Sequence, residues 1–383
     1  LAPTIDCGNR AHMKIAMIRS RNRVVMRHIA DSLSERGHDV TLYSVLFRGV
    51  DKESYPGEVV MGRFPNWADR KRFGTLLGYG RYLSRLARTV EDVDLVLVRN
   101  VFPCGHGGVM LQKLKGMPSV LMLQGENDLF NFDEAHWTVD RLRPIVIRES
   151  RKIIAQTSYQ RDFLEKEYGV SSVVLPNGVD VERFKPVPKE EAMNELGLDP
   201  SSKYVISVGA FLPFKGFDYL IHAFARVLES IPDVRLLLLG DGAQRKKLRK
   251  LVEDLKVEDN VLFQGWVPFE KMPQYLSASD VFVHPSTSEG FPNVVLEAMA
   301  SGLPIIMSNV VGLGDYFEDK RNCFSVPPRD EKSLEEKMLV LLRDDALAGE
   351  MRERNLEDVK GFDWSVFAEK LETVLEEVAE SSE

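Results

Sequence analysis

The chain's densest chemistry runs from Val281 to Ala300: Val-Phe-Val-His-Pro-Ser-Thr-Ser-Glu-Gly-Phe-Pro-Asn-Val-Val-Leu-Glu-Ala-Met-Ala. The apolar run reads as a buried strand, the small polar residues as a loop, and the rest as a helix starting near Pro292 or Asn293. Pro suits a first helical turn, and that turn's unpaired N–H groups, with the positive end of the dipole, can hold a phosphate. Glu289 and Glu297 stand eight apart, two turns and a little more, so both can face one cleft. Two carboxylates beside an anion site make sense if hydroxyls are bound as well, since a carboxylate accepts paired hydrogen bonds from a vicinal diol. Glu289 near a sugar ring and Glu297 near a ribose would bracket the pyrophosphate of a nucleotide sugar. The plainer alternative is one capping and one surface glutamate.

Other arrangements carry less. Asp92-x-Asp94 has the spacing of a metal-binding pair but precedes a strand, and the seven histidines form no spaced cluster, so no metal site is expected. His284, at a strand end before Pro285, reads as a packed histidine beside the loop. No Ser-His-Asp arrangement or Walker loop occurs, and Leu239-Gly240-Asp241-Gly242 is a tight turn without the full dinucleotide fingerprint.

The elements that position these residues repeat. Short apolar runs at Ile15–Ile18, Val40–Tyr43, Leu95–Val98, Ser119–Leu123 and Ile153–Ala155 alternate with amphipathic stretches. A second series follows at Tyr204–Val208, Val234–Leu239, Val261–Phe263, Val281–Val283 and Pro304–Met307. Strands spaced by helices give parallel sheets, so two doubly wound α/β domains are expected, with ligand between them near carboxyl strand ends. The expected boundaries are 1–12, a cloning remnant ending in His-Met; 13–175, an N-terminal domain; 176–202, a linker punctuated by Pro and Gly; 203–360, a C-terminal domain; and 361–383, a closing helix. In that helix Trp364, Phe367, Leu371 and Leu375 recur every three or four residues, an apolar stripe that packs back on the body.

Composition sets the class. The 383 residues suit two domains, and 44% hydrophobic with 28% charged residues is ordinary for a globular protein, excluding disorder and fibre. No apolar run reaches the length of a membrane span. Three distant cysteines (Cys7, Cys104, Cys323) indicate neither disulfides nor zinc, and a reducing cytoplasm is expected. The net charge of −8 is unevenly shared: basic residues outnumber acidic ones by about five in residues 1–180, and the remainder is strongly acidic. Arg19, Arg21, Arg23 and Arg27, then Arg63 to Arg88 interleaved with Phe64, Trp67, Phe73 and Tyr79, suit an anionic membrane surface, a nucleic acid, or simply solvent.

From Met13 onward the chain resembles the large retaining glycosyltransferase family numbered 4, or group 1, which has the GT-B fold of two Rossmann-like domains facing across a cleft. Leu175 to Asp180 with Phe184, Val208-Gly209 through Lys215-Gly216, Leu239 to Gly242, Phe263 to Val267, and Glu289 through Pro304 with its Glu-x7-Glu match in order. The resemblance implies that Lys215 binds the donor phosphates, Glu289 contacts the transferred sugar and Glu297 holds the ribose. It further implies that Phe291, Asn293 and Val294 lend amides to the β-phosphate, Pro292 having none to lend. Gly209 would lie at the donor, with the backbone of Trp266 and Val267 near the base.

Three departures mark the chain. Ala210 stands where many relatives carry an arginine that clamps the diphosphate, and Arg21 or Arg23 from the first loop would supply positive charge instead. That loop also lacks the usual Gly-Gly pair. Gln124 stands where many relatives place a histidine near the reacting sugar; it can donate a hydrogen bond but cannot titrate. Glu126 would orient the acceptor, while Asp128 caps a loop.

The expectation is a retaining hexosyltransferase with no obligatory cofactor or metal. It would move a sugar from a UDP-, GDP- or ADP-sugar to a glycan, lipid-linked or small-molecule hydroxyl, in the cytoplasm or peripherally at the inner membrane face, without nucleic acid. The alternatives are a nucleotide-sugar epimerase of the same fold and a non-catalytic partner subunit.

Overall fold

The computed structural model describes residues 12–19, 23–47, 59–64, 74–124, 128–129 and 137–381. The chain forms two compact units, Leu1–Pro176 with Trp364–Glu383, and Asn177–Asp363. Each is a parallel sheet with helices packed against it.

The first unit holds β1 (Lys14–Arg19), β2 (Asp39–Phe47), β3 (Val59–Phe64), β4 (Leu95–Arg99), β5 (Ser119–Met122), β6 (Lys152–Ala155) and β7 (Val173–Val174). Their spatial order is β3-β2-β1-β4-β5-β6-β7. Alternate residues serve opposite faces, and both faces are covered: Ile15, Met17, Leu95 and Leu97 enter one core, Ala16, Ile18, Val96 and Val98 the other. That is why these strands read as unbroken apolar runs. The closing helix, Trp364–Glu380, belongs to this unit; its Trp364, Phe367, Leu371 and Leu375 join the core of Ile15 and Met17, and Trp364 stacks on His28 at 5.3 Å.

The second unit holds β8 (Lys203–Val208), β9 (Val234–Leu239), β10 (Val261–Gly265), β11 (Val281–His284), β12 (Ile305–Ser308) and β13 (Phe324–Val326), ordered β10-β9-β8-β11-β12-β13. Val205 and Val281 pack on one face, Tyr204, Ile206 and Phe282 on the other. Residues 177–202, expected as a linker, lie inside this unit. They include the helix Lys189–Leu196, whose Ala192 and Met193 are buried and whose Lys189 pairs with Asp280 at 2.5 Å.

The strands β3, β7 and β13, absent from the sequence reading, are all sheet edges. Half-buried edges carry no continuous apolar run. Strand order reverses between β1 and β4 in the first sheet and between β8 and β11 in the second, the positions where doubly wound sheets bind ligands at their carboxyl ends.

Candidate functional site

The strongest cluster lies at the second reversal. β8 ends at Val208 and leads through Gly209 to a 3-10 turn, Pro213–Lys215; β11 ends at His284 and leads into the loop carrying Glu289. Gly216 makes their approach possible. It has φ +67, and a Cβ there would lie 2.1 Å from the carbonyl oxygen of Pro285. The Thr287 amide donates to the Phe214 carbonyl at 2.7 Å, tying one loop to the other.

In that frame the Lys215 ammonium donates directly to Glu289 Oε1. The same oxygen lies 2.8 Å from His284 Nε2 and 3.4 Å from Ser286 Oγ. Burial works against a charge on Glu289, yet the His284 hydrogen bond and the Lys215 charge outweigh it and hold the carboxyl well below its usual range. Burial lowers His284 against the opposing pull of Glu289, and its Nε2, facing the carboxylate, donates to Glu289. The sequence reading took His284 for a packed histidine. It is packed, with 4% of its side chain exposed, but it is also bonded to Glu289.

The helix begins at Asn293 with Pro292 as its N-cap, so the proline sits one position outside the first turn. No side chain caps this end; the Val295 amide donates back to the Pro292 carbonyl at 2.9 Å, which leaves those of Asn293 and Val294 without intrahelical acceptors. Asn177 Nδ2 donates to Asn293 Oδ1 at 2.7 Å, fixing the first helical side chain, while Phe291 is buried edge-on against Tyr316. Val294 is half-buried. Glu297 is also half-buried and has no hydrogen-bond or charged partner among the described residues; burial raises its carboxyl to about 7.

Three strand ends of this sheet meet at glycines. Gly209 N donates to the Leu239 carbonyl at 3.0 Å and Gly240 N to the Gly265 carbonyl at 2.7 Å. A Cβ on Gly240 would stand 1.9 Å from Gly209 O. Beyond Gly265, Trp266 is 77% exposed and Val267 is buried. Ala210 is exposed beside this cluster.

At the first unit's reversal the structure gathers charge: Arg99 was not singled out from sequence, Arg19 was read with the basic surface residues but is buried, and Asp128 caps its loop as expected. Arg19 at the end of β1 and Arg99 at the end of β4 are fully buried, and burial lowers Arg99 to about 10. Asp128, also buried, accepts the Gln124 amide at 2.6 Å and the Val101 amide at 3.1 Å. Burial raises its carboxyl despite those amides and the charge of Arg99. Gln124 is therefore held by its backbone at the tip of β5. Arg21 and Glu126 lie outside the described residues, as do the side chain of Arg23 and most of the basic and aromatic segment around Trp67. Asp92 and Asp94 both bind Lys14, through its side chain at 2.5 Å and its amide at 2.7 Å.

The chain as a whole has known relatives. The family described as "Glycosyl transferases group 1" matches residues 188–358, and "Glycosyltransferase Family 4" matches 23–183. An uncharacterised glycosyltransferase of Methanocaldococcus jannaschii is 26% identical over 91% of this chain and 93% of its own. Among solved structures, a sucrose-phosphate synthase of Thermosynechococcus elongatus superposes with TM-score 0.83 at 22% identity, covering 97% of this chain and all of that one. The Anabaena protein HepE, in complex with UDP and glucose, superposes with TM-score 0.80 at 21% identity, covering 96% and 100%. Both sheets have the Rossmann-like plan of GT-B enzymes, and the chain belongs to the family 4, group 1 glycosyltransferases.

Proposed function

We propose that this glycosyltransferase moves a sugar from a nucleoside diphosphate to an acceptor hydroxyl with retention of configuration. The observation that carries this reading is the Lys215–Glu289–His284 cluster, set one loop from an uncapped helix start and the unpartnered Glu297. The amides of Phe291, Asn293 and Val294 take the β-phosphate, and Lys215 exchanges Glu289 for a phosphate oxygen, neutralising the leaving group. Glu289, kept ionised, then accepts hydrogen bonds from hydroxyls of the transferred sugar. Glu297 takes the ribose diol, and the backbone at Trp266 and Val267 meets the base, with Gly209 allowing close approach.

The acceptor oxygen attacks the anomeric carbon from the face the diphosphate leaves. The new C–O bond forms as the C1–O(phosphate) bond breaks, and the acceptor's proton passes to the departing phosphate oxygen. No protein base is needed, which accommodates Gln124. The first unit takes the acceptor, with Gln124, Arg21, Arg23 and Glu126 on its side. The complex of HepE with UDP and glucose supports a uridine nucleotide as the first donor to try.

A glycan, lipid-linked or other anionic acceptor fits the basic first unit. Among the described residues no helix is long and apolar enough to cross a membrane, so contact with a bilayer would be peripheral.

The test is thermal stabilisation by UDP, GDP, ADP and their sugar conjugates, followed by donor hydrolysis. One diphosphate series should stabilise the protein selectively. Slow hydrolysis should fall about 100-fold or more in Lys215→Ala and Glu289→Ala. Failure of every nucleotide to stabilise would overturn the reading.

A further inference from the structure

We propose that the second unit carries a second ligand site, for a soluble sugar phosphate, in a pocket outside the Lys215–Glu289 cluster. The pocket has a volume of about 450 Å³, within the usual range for small-molecule sites. One wall is the turn Leu212-Pro213-Phe214, another the start of the helix Phe217–Ser230, a third the start of the helix Arg245–Leu255, and Arg329 closes it from the loop after β13. Lys215, His284, Glu289 and Glu297 do not line it, so this inference stands whether or not the donor reading does.

The lining matches a phosphorylated polyol group by group. Lys247 and Arg329 bring two positive charges and Asp218 one negative. Asp218 is already engaged by Lys247 at 3.5 Å, whereas Arg329 has no ion pair or hydrogen bond among the described residues. The site is therefore net positive, with a forked guanidinium free for phosphate oxygens. Arg329 also sits at φ +66, a left-handed conformation unfavourable for any residue with a side chain. Such strain is concentrated at ligand clamps and switches.

The side chains of Gln244 and Tyr219 also line the pocket and make no hydrogen bond among the described residues, so they are available to hydroxyls. Phe214, 40% exposed, offers an aromatic surface for the C–H face of a sugar ring. Apolar contact on one side, hydroxyl partners beside it and a cationic end describe a hexose phosphate better than a neutral sugar or a bare anion.

The experiment is calorimetric and thermal-shift titration of the full chain with glucose 6-phosphate and glucose 1-phosphate, with glucose and inorganic phosphate as the component arms. Saturable binding of at least one hexose phosphate is expected, about tenfold or more tighter than either component. Arg329→Ala and Lys247→Ala should weaken it by about tenfold while leaving the melting temperature of the unliganded protein unchanged. Gln244→Ala should weaken the hexose phosphate but not inorganic phosphate. No saturable response to either hexose phosphate, or a response that persists unaltered in Arg329→Ala and Lys247→Ala, would overturn the site.

Discussion

His38 Nε2 lies 2.8 Å from Glu372 Oε1, joining the end of the first βα segment to the middle of the closing helix Trp364–Glu380, with both side chains buried. The Met13 amide points at His38 Nδ1 from 3.3 Å, so Nε2 carries the proton and donates to the carboxylate. Arg36 Nε takes the other carboxylate oxygen at 2.9 Å. Removing the acid strands a half-buried guanidinium and a buried imidazole beside an apolar face. Glu372→Ala should destabilise the first unit by about 3–5 kcal/mol, with Glu372→Gln in between. Chemical denaturation followed by Trp364 fluorescence reads this directly, and a change below about 1 kcal/mol in Glu372→Ala would show the cluster to be idle.

Gly216 is required where Lys215 must be delivered. Ala at this position would pay for a left-handed backbone and for a clash with Pro285, together about 2–4 kcal/mol. Because the strain is local, the turn should shift rather than the domain unfold. Gly216→Ala should lose nucleotide stabilisation as fully as Lys215→Ala while retaining its helical circular dichroism. Unchanged nucleotide binding would mean that Lys215 does not need this turn.

Glu297 supplies a pH dependence of known sign. Burial raises its carboxyl from 4.5 to about 7, so the folded, unliganded protein holds this proton more tightly than the unfolded chain does. Its contribution to stability is complete below pH 4.5 and is lost as pH rises through about 7. Glu297→Gln should therefore show a flatter stability profile across that window. A ribose diol needs the ionised carboxylate, so donor binding should strengthen in the wild type as pH rises through 7 and stay level in Glu297→Gln. Parallel profiles for the two proteins would rule this out.

The helix Gly74–Thr89 presents Arg81, Arg85 and Arg88 on one exposed face at spacings of four and three. Vesicles containing phosphatidylserine should bind the wild type at low salt and release it as salt rises, since each arginine near an anionic surface contributes about 1 kcal/mol. Replacing all three by Glu should abolish sedimentation with vesicles. Equal sedimentation of both proteins would place any membrane contact elsewhere.

The second unit was more legible from sequence than the first because its site is local. Glu289 lies in the loop after β11 and Glu297 in the helix that follows it, so one short stretch of chain carries both, although Glu289 precedes the first helical turn and helical spacing does not relate them. Lys215 announces itself by its place before Gly216. What stayed hidden depends on partners distant in sequence: Lys215 meets Glu289 across 74 residues, and His38 meets Glu372 across 334. His284 could have been suspected, since it closes a wholly buried strand five residues before Glu289, but only the fold turns its ring onto that carboxylate. The buried Arg99 resembles any surface arginine until β4 is seen to lie inside the sheet, and edge strands such as Val59–Phe64 lack the apolar continuity that reveals central ones.

The closing helix has a consequence for the order in which the molecule is made. The first unit is split in sequence, its sheet face completed by Trp364, Phe367, Leu371 and Leu375, whereas the second is one uninterrupted stretch. During synthesis the earlier-made sheet must wait, with Ile15, Met17, Leu95 and Leu97 covered only in part by Val25, Met26, Ile29 and Leu33 of the helix Arg23–Glu35, while the later-made unit can close as soon as it emerges. The half translated first is the half finished last, and the part of its face reserved for Trp364, Phe367, Leu371 and Leu375 is the apolar surface left open longest.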